Sequence, residues 1–202
     1  MNLLAIVGSP RKGMATDKLI DKAIEGFRSK SPECKVRKIH LMDHEIGFCR
    51  NCLACRESKA DGPYVKCTIR DDMDWISEEL TKADRLIFGT PVHEGYCTGI
   101  MTTFLERVTW TFAKPTGRAL TLIGCPVPRA TGKGKKAVII VVSGIVPPYY
   151  RKFCDDATSH IKIALTCSLN AKPVGDMYAG AVESRGVERY FGKAHKLGRK
   201  LI

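Results

Sequence analysis

LLAIVGSPRKGMATDKLI, residues 3–20, is the stretch whose reading decides the fold. Residues 3–7 are apolar without alternation, which suits a strand buried on both faces of a parallel sheet. From Leu19 the pattern changes period: Leu19, Ile20, Ala23, Ile24 and Phe27 fall on one face of a helix over residues 16–30. Between them lies GSPRKGMAT, residues 8–16. Hydroxyls at Ser9 and Thr16, a cation at Arg11 and free backbone N–H groups at a helix start make an anion site. GxxxxGK[ST] and GxGxxG are both absent, so one phosphate suits the loop better than a pyrophosphate. The same residues would also serve a plain strand–helix turn capped by Thr16.

The strand–loop–helix unit recurs. Apolar runs at 35–41, 85–89, 137–142 and 171–177 alternate with helical patterns at 71–82, 99–112, 149–165 and 185–202. The second helix opens on carboxylates, which favour an N-terminus. The fourth is expected to turn Phe153, Ala157, Ile161 and Leu165 inward. This order predicts an α/β fold, a doubly wound five-stranded parallel sheet with helices on both faces. With 202 residues and 44% hydrophobic content, residues 1–202 are expected to form a single domain. Residues 114–136 read as an irregular basic loop. Ligands of such sheets bind outside the carboxyl ends of the strands. The first four loops, GSPRKGMAT, the cysteine stretch, GTPVHEGYCTG and SGIVPP, are therefore expected along one edge.

The net charge of +12 would attract a phosphorylated ligand or nucleic acid. The basic residues are spread out and not interleaved with aromatics, so nucleic acid is the weaker expectation. No run is apolar enough to span a bilayer. The opening MNLLAIVGSP lacks the basic flank of a signal peptide, so a cytoplasmic location is expected, where thiols stay reduced.

Four of the nine cysteines stand in CRNCLACRESKADGPYVKC, residues 49–67. Their spacing is C-x2-C-x2-C-x11-C. A compact triple run with a fourth cysteine beyond it suits an iron–sulfur cluster. Zinc more often takes two separated C-x2-C pairs. A [4Fe–4S] cluster, zinc and no metal all stay open on spacing alone. Cys34, Cys125, Cys154 and Cys167 read as ordinary small residues. Cys97 is the one further candidate for a redox-active thiol.

Three segments resemble one family. GSPRKGMATDKL is similar to the phosphate loop of the NAD(P)H-dependent FMN reductases, which have a flavodoxin-like fold. GTPVHEGYCTGIMTTFLERV resembles their second flavin loop and the helix after it. The cysteine stretch followed by IRDDM resembles the iron–sulfur flavoprotein branch. The resemblance runs from Met1 to about Gly144. It implies an FMN whose phosphate meets Ser9, Arg11 and Thr16 and the backbone of Lys12, Gly13, Met14 and Ala15. It places the flavin ring against Pro91, Val92, His93, Glu94, Gly95 and Tyr96, closed by Ser143 and Gly144. Cys49, Cys52, Cys55 and Cys67 would ligate the cluster. Ala15 stands where the family often has Asn, His93 where it often has an aromatic, and the last cysteine gap is longer than usual. His93 is the candidate catalytic residue, a donor to a reduced ring.

The resemblance implies an FMN-dependent oxidoreductase with NAD(P)H or ferredoxin as electron donor, acting as a homodimer or homotetramer. The flavin takes electrons in pairs and a cluster passes them singly. The alternatives are a flavodoxin-like carrier without its own substrate and, on charge alone, a nucleic-acid-associated redox sensor.

Overall fold

A computed structural model describes residues 1–119 and 122–202 of the chain. Five parallel strands form the central sheet: β1 (Asn2–Val7), β2 (Lys35–His40), β3 (Arg85–Pro91), β6 (Lys135–Val142) and β7 (Ala171–Ala179). Their order is β2-β1-β3-β6-β7. The helices are α1 (Ala15–Arg28), α2 (Ala54–Glu57), α3 (Met73–Lys82), α4 (Gly99–Phe112), α5 (Arg151–Cys154), α6 (Ala157–Cys167), α7 (Val182–Arg185) and α8 (Phe191–Arg199).

Strand period explains the two cores. Leu4 and Ile6 of β1 join Leu86 and Phe88 of β3 under α3, α4 and α6. Leu3, Ala5 and Val7 face the other way and pack with Ile87 against α1 and α8. Because both faces are covered, β1, β3 and β6 need apolar residues at nearly every position. β2, at the sheet edge, alternates instead, and only Ile39 is fully buried along it. On the second face Gly26 of α1 and Gly198 of α8 let two helices touch backbone to backbone, and a Cβ at either would overlap the other helix.

Three sequence expectations change. Residues 114–136 are not an irregular loop along their length: β4 (Ala113–Ala119) pairs antiparallel with β5 (Leu122–Pro128). Residues 120–121 of that stretch lie outside the described residues. Its prolines and glycines read as loop, and its faces are largely solvated, so no alternation marked the strands. The pairing register slips around Gly117, as at a bulge. The helix expected at 149–165 breaks at Asp155. That carboxylate accepts Nε–H of Arg151 at 2.7 Å and the N–H of Thr158 at 2.9 Å, starting α6 anew. Phe153 then lies outside the core, 79% exposed rather than inward. The last helix begins at Phe191, not 185, because Gly186 at φ +73 ends α7 and a single 3-10 turn follows.

Among the described residues no helix is long and apolar enough to cross a membrane.

Candidate functional site

The carboxyl edge of the sheet holds a cavity of about 700 Å³. Loop residues after β1, β3 and β6 line it, as the topology predicted for those loops. Ser9, Arg11, Met14, Ala15 and Thr16 form one wall, and Pro91, Val92, His93, Glu94 and Gly95 form another. Ser143 and Gly144 close the third side. Lys12, Gly13 and Tyr96 do not line it. The Lys12 ammonium pairs with Asp43 at 2.5 Å, the Gly13 N–H donates to Asp17, and Tyr96 is exposed.

At the first wall, α1 begins without a side-chain cap: its N-cap is Met14, and Thr16 sits inside the first turn. The capped-turn alternative is therefore not the one realised. The Ser9 hydroxyl accepts the Arg11 N–H at 3.2 Å and folds the loop back on itself. Gly13 takes φ +69, a conformation glycine adopts at little cost. Uncapped N–H groups at a helix start, beside a hydroxyl and an arginine, suit an anion of phosphate size. Asp17 would oppose that anion if its charge were free. Burial pushes its carboxyl up, but the hydrogen bond from Lys38 and the Gly13 N–H hold it below the ordinary carboxylate range. Lys38 lies 2.5 Å from Asp17 and 2.6 Å from Asp21, so this end of the site carries a compensated cluster.

The second wall is a miniature hairpin. His93 and Tyr96 exchange backbone hydrogen bonds at 3.0 and 2.9 Å around Glu94 and Gly95. Both central residues have positive φ, 52° and 91°, the signature of a primed turn. The Gly95 carbonyl accepts the Asp156 N–H at 2.8 Å and pins the turn to the start of α6. Thr98 caps α4 by accepting the Met101 N–H, and its hydroxyl donates to the Gly8 carbonyl at 2.6 Å. One residue thus joins the first and second loops. His93 is exposed at the cavity wall. Cys97 points into the core, and burial pushes its thiol up to about 12. It is a buried thiol, not the redox-active one its loop position suggested.

The fourth side of the cavity was missed in the sequence. Phe153 and Cys154 of α5, and Glu183 and Glu188 after β7, complete the wall. The signal was present: β7 also ends at the carboxyl edge, so its loop belonged with the other four.

The cysteine stretch lies on the same edge, after β2. All nine cysteines are free thiols. Cys49 and Cys52 are exposed, while Cys55 and Cys67 are half-buried. The Cys52 Sγ sits 3.3 Å from Thr68 Oγ1. Burial raises the Cys55 thiol, and the charges of Cys67, Cys49 and Cys52 raise it further, so the four sulfurs share one electrostatic neighbourhood. Among the described residues no three His, Cys, Asp or Glu side chains converge on a point suited to one metal ion. The donor set, four free thiols on one loop, matches the chemistry of iron–sulfur ligation.

Two buried arginines hold this loop. Arg107 of α4 is 2% exposed and grips Asp71 through both guanidinium nitrogens, at 2.5 and 3.0 Å. It also donates to the carbonyls of Gly47 at 2.7 Å and Ile69 at 3.4 Å, on either side of the cysteines. Burial pushes the Asp71 carboxyl up, but Arg107 and the N–H groups of Gly47 and Met73 hold it below the usual range. Arg129, just after β5, donates to the carbonyls of Cys55 at 2.8 Å and of Ser58 and Ala60 at 3.4 Å. Neither arginine was singled out in the sequence, because nothing local marks a cation whose partners lie 36 to 74 residues away.

A family model described as NADPH-dependent FMN reductase matches residues 1–181. An iron–sulfur flavoprotein of Archaeoglobus fulgidus is 36% identical over 107 residues, 53% of this chain and 48% of that protein. One of Methanosarcina thermophila is 35% identical over 95 residues, 47% of this chain and 46% of that protein. The matched stretch thus spans about half the length of these curated relatives. Among solved structures, a flavone reductase superposes with a TM-score of 0.69 at 22% identity, covering 100% of this chain and 62% of that one. An NAD(P)H:quinone oxidoreductase of Methanothermobacter marburgensis gives 0.69 at 15% identity, covering 100% and 96%. These likenesses establish the flavodoxin-like fold.

Proposed function

The chain belongs to the NADPH-dependent FMN reductase family, and from that premise we propose that it is an FMN-dependent oxidoreductase. One observation carries the reading. An uncapped helix start and a primed-turn loop, far apart in sequence, meet across one cavity large enough for a nucleotide cofactor. Ser9, Arg11 and Thr16 with the N–H groups of Met14 and Ala15 would hold the phosphate, and Pro91 to Gly95 with Ser143 and Gly144 would hold the ring. The Gly13 N–H is engaged by Asp17, and with its side chain on Asp43 Lys12 would contribute through its backbone alone. Tyr96 contributes through its backbone pairing with His93.

When bound, FMN supplies the two-electron chemistry that these side chains lack. The protein's part is to orient and to shield. The anion loop fixes one end of the cofactor, and the pinned turn fixes the wall where a donor must approach. His93, which lines that wall, would hold a proton near the ring. NAD(P)H or a ferredoxin is the donor. We assign Cys49, Cys52, Cys55 and Cys67 as ligands of a [4Fe–4S] cluster, supported by the four free thiols on one loop and by the relatives' names. The exposed Ile145, Tyr149 and Phe153 beside the cavity support a homodimer or homotetramer, and the cytoplasmic location expected from the sequence is part of the same proposal.

The test is the absorption spectrum of chain purified without oxygen, with iron and sulfide assayed on the same sample. Flavin bands with broad added absorption and iron are expected. A clean flavin spectrum leaves an FMN reductase without a cluster. No flavin after FMN is added back overturns the proposal. Saturable NAD(P)H oxidation with an artificial acceptor separates an enzyme from a flavodoxin-like carrier.

A further inference from the structure

Arg107 and Arg129 look alike as clamps but differ in charge. Arg107 has its counter-ion, Asp71, and also lies against Cys67. Arg129 is 3% exposed, and among the described residues no carboxylate pairs with it. Its partners are three backbone carbonyls, all from residues 55–60. Its Nε–H is buried with no acceptor. Its own N–H is fixed to the Phe112 carbonyl at 2.8 Å, so the residue is held at the root of the β4–β5 hairpin. A buried cation without a counter-ion is costly, and carbonyl dipoles offset only part of that cost. Arg56 adds a second positive charge nearby, 4.9 Å over the Trp110 ring. The anion missing from this arrangement has to come from the loop that Arg129 grips. That loop carries two carboxylates, Glu57 and Asp61, and four thiols; Glu57 lines the same recess as Arg129, yet neither carboxylate forms an ion pair with it among the described residues.

We propose that Arg129 is a buried counter-charge, beside Arg107 at Cys67, and the positioning residue of the thiolate-held centre on the cysteine loop, acting beside Cys55 through the carbonyl it holds. This rests on the cluster reading above. A [4Fe–4S] centre on four thiolates is negative in both redox states and gains one further negative charge on one-electron reduction, with no bond made or broken. A fixed buried cation favours the more negative state, so it raises the reduction potential. It also fixes the Cys55 backbone before the metal arrives. The hairpin thereby belongs to the redox apparatus rather than to the periphery of the fold.

The experiment uses the full chain carrying FMN, reconstituted anaerobically with iron and sulfide, and titrated with dithionite while the cluster's electron paramagnetic resonance signal is followed. In Arg129→Gln, which removes the charge, reduction should become at least tenfold less favourable, about 59 mV lower for a one-electron couple. Arg129→Lys keeps the charge and should stay nearer the wild type. Iron lost in the Gln variant and regained in the Lys variant supports the same assignment. Arg129→Gln with full iron and an unchanged potential overturns it. So does equal loss of iron in both variants with FMN retained, which would make Arg129 a shaping residue only. If Arg129→Gln does not fold, judged by FMN binding, Arg129→Met takes its place as the charge-removing variant: a potential at least tenfold less favourable supports the assignment and an unchanged potential with full iron overturns it. A wild-type chain that takes up no iron overturns the cluster reading, and this inference with it.

Discussion

The cavity and the cysteine loop share one edge of the sheet but are built by opposite means. The cavity walls are main chain: the uncapped turn of α1, the primed turn at Glu94–Gly95, and the Thr98 hydroxyl bound to the Gly8 carbonyl. Strand ends fix all of them. The cysteine loop has almost no regular structure, only the single turn α2, between Gly47 and Asp71. Two side chains, Arg107 and Arg129, fasten it to the body. A site made from backbone inherits the rigidity of the fold, whereas a site made from a loop depends on a few buried contacts. Substitutions at the two sites should therefore fail differently.

The largest effect is expected at the loop. Arg107→Ala leaves Asp71 buried without its partner, and breaking a buried pair costs about 3–5 kcal/mol. Thermal unfolding should fall accordingly, and proteolysis should cut first between residues 47 and 71. The same pair carries a pH signature. Asp71's folded pKa lies below its ordinary 3.8, so its contribution is complete above that value. It is lost as the pH falls through the lower folded value. Denaturant titrations of wild type below pH 4 should therefore lose stability that Asp71→Asn does not lose. A flat difference between the two across that range would show that the loop is held some other way.

At the cavity, binding should suffer before stability. Arg11→Ala removes an exposed cation that the fold does not use, leaving unfolding unchanged. The loss of one charge-assisted contact, about 1.5–3 kcal/mol, weakens FMN by roughly ten- to a hundredfold. Fluorescence quenching of added FMN measures it. Loss of stability together with affinity would erase the distinction between the two sites.

The smallest effect tests the turn. Gly95→Ala forces a side chain into left-handed backbone at φ +91, costing about 1–2 kcal/mol. For a chain of this size that is about 2–4 °C in Tm per kcal/mol, read by calorimetry. Loss of FMN binding far beyond that of Arg11→Ala would show that the turn, not the anion loop, dominates the cavity.

Much of this was legible in the residues. Period, run length and loop chemistry determined five parallel strands, the edge on which ligands gather and the anion loop from Ser9 to Thr16, while the wall from Pro91 to Gly95 came from the family resemblance. Those signals are local, because a buried strand must be apolar along its length and an anion loop must offer donors within a few residues. What only the tertiary structure decided is non-local. The strands at Ala113–Pro128 gain their hydrogen bonds from each other and carry no buried stripe to announce them. Asp155 breaks a helix because its carboxylate accepts from Arg151 and from the N–H of Thr158 at once. Arg129 reaches Cys55 from 74 residues away. A buried charge is recognised by what surrounds it in space, and sequence spacing holds no record of that distance.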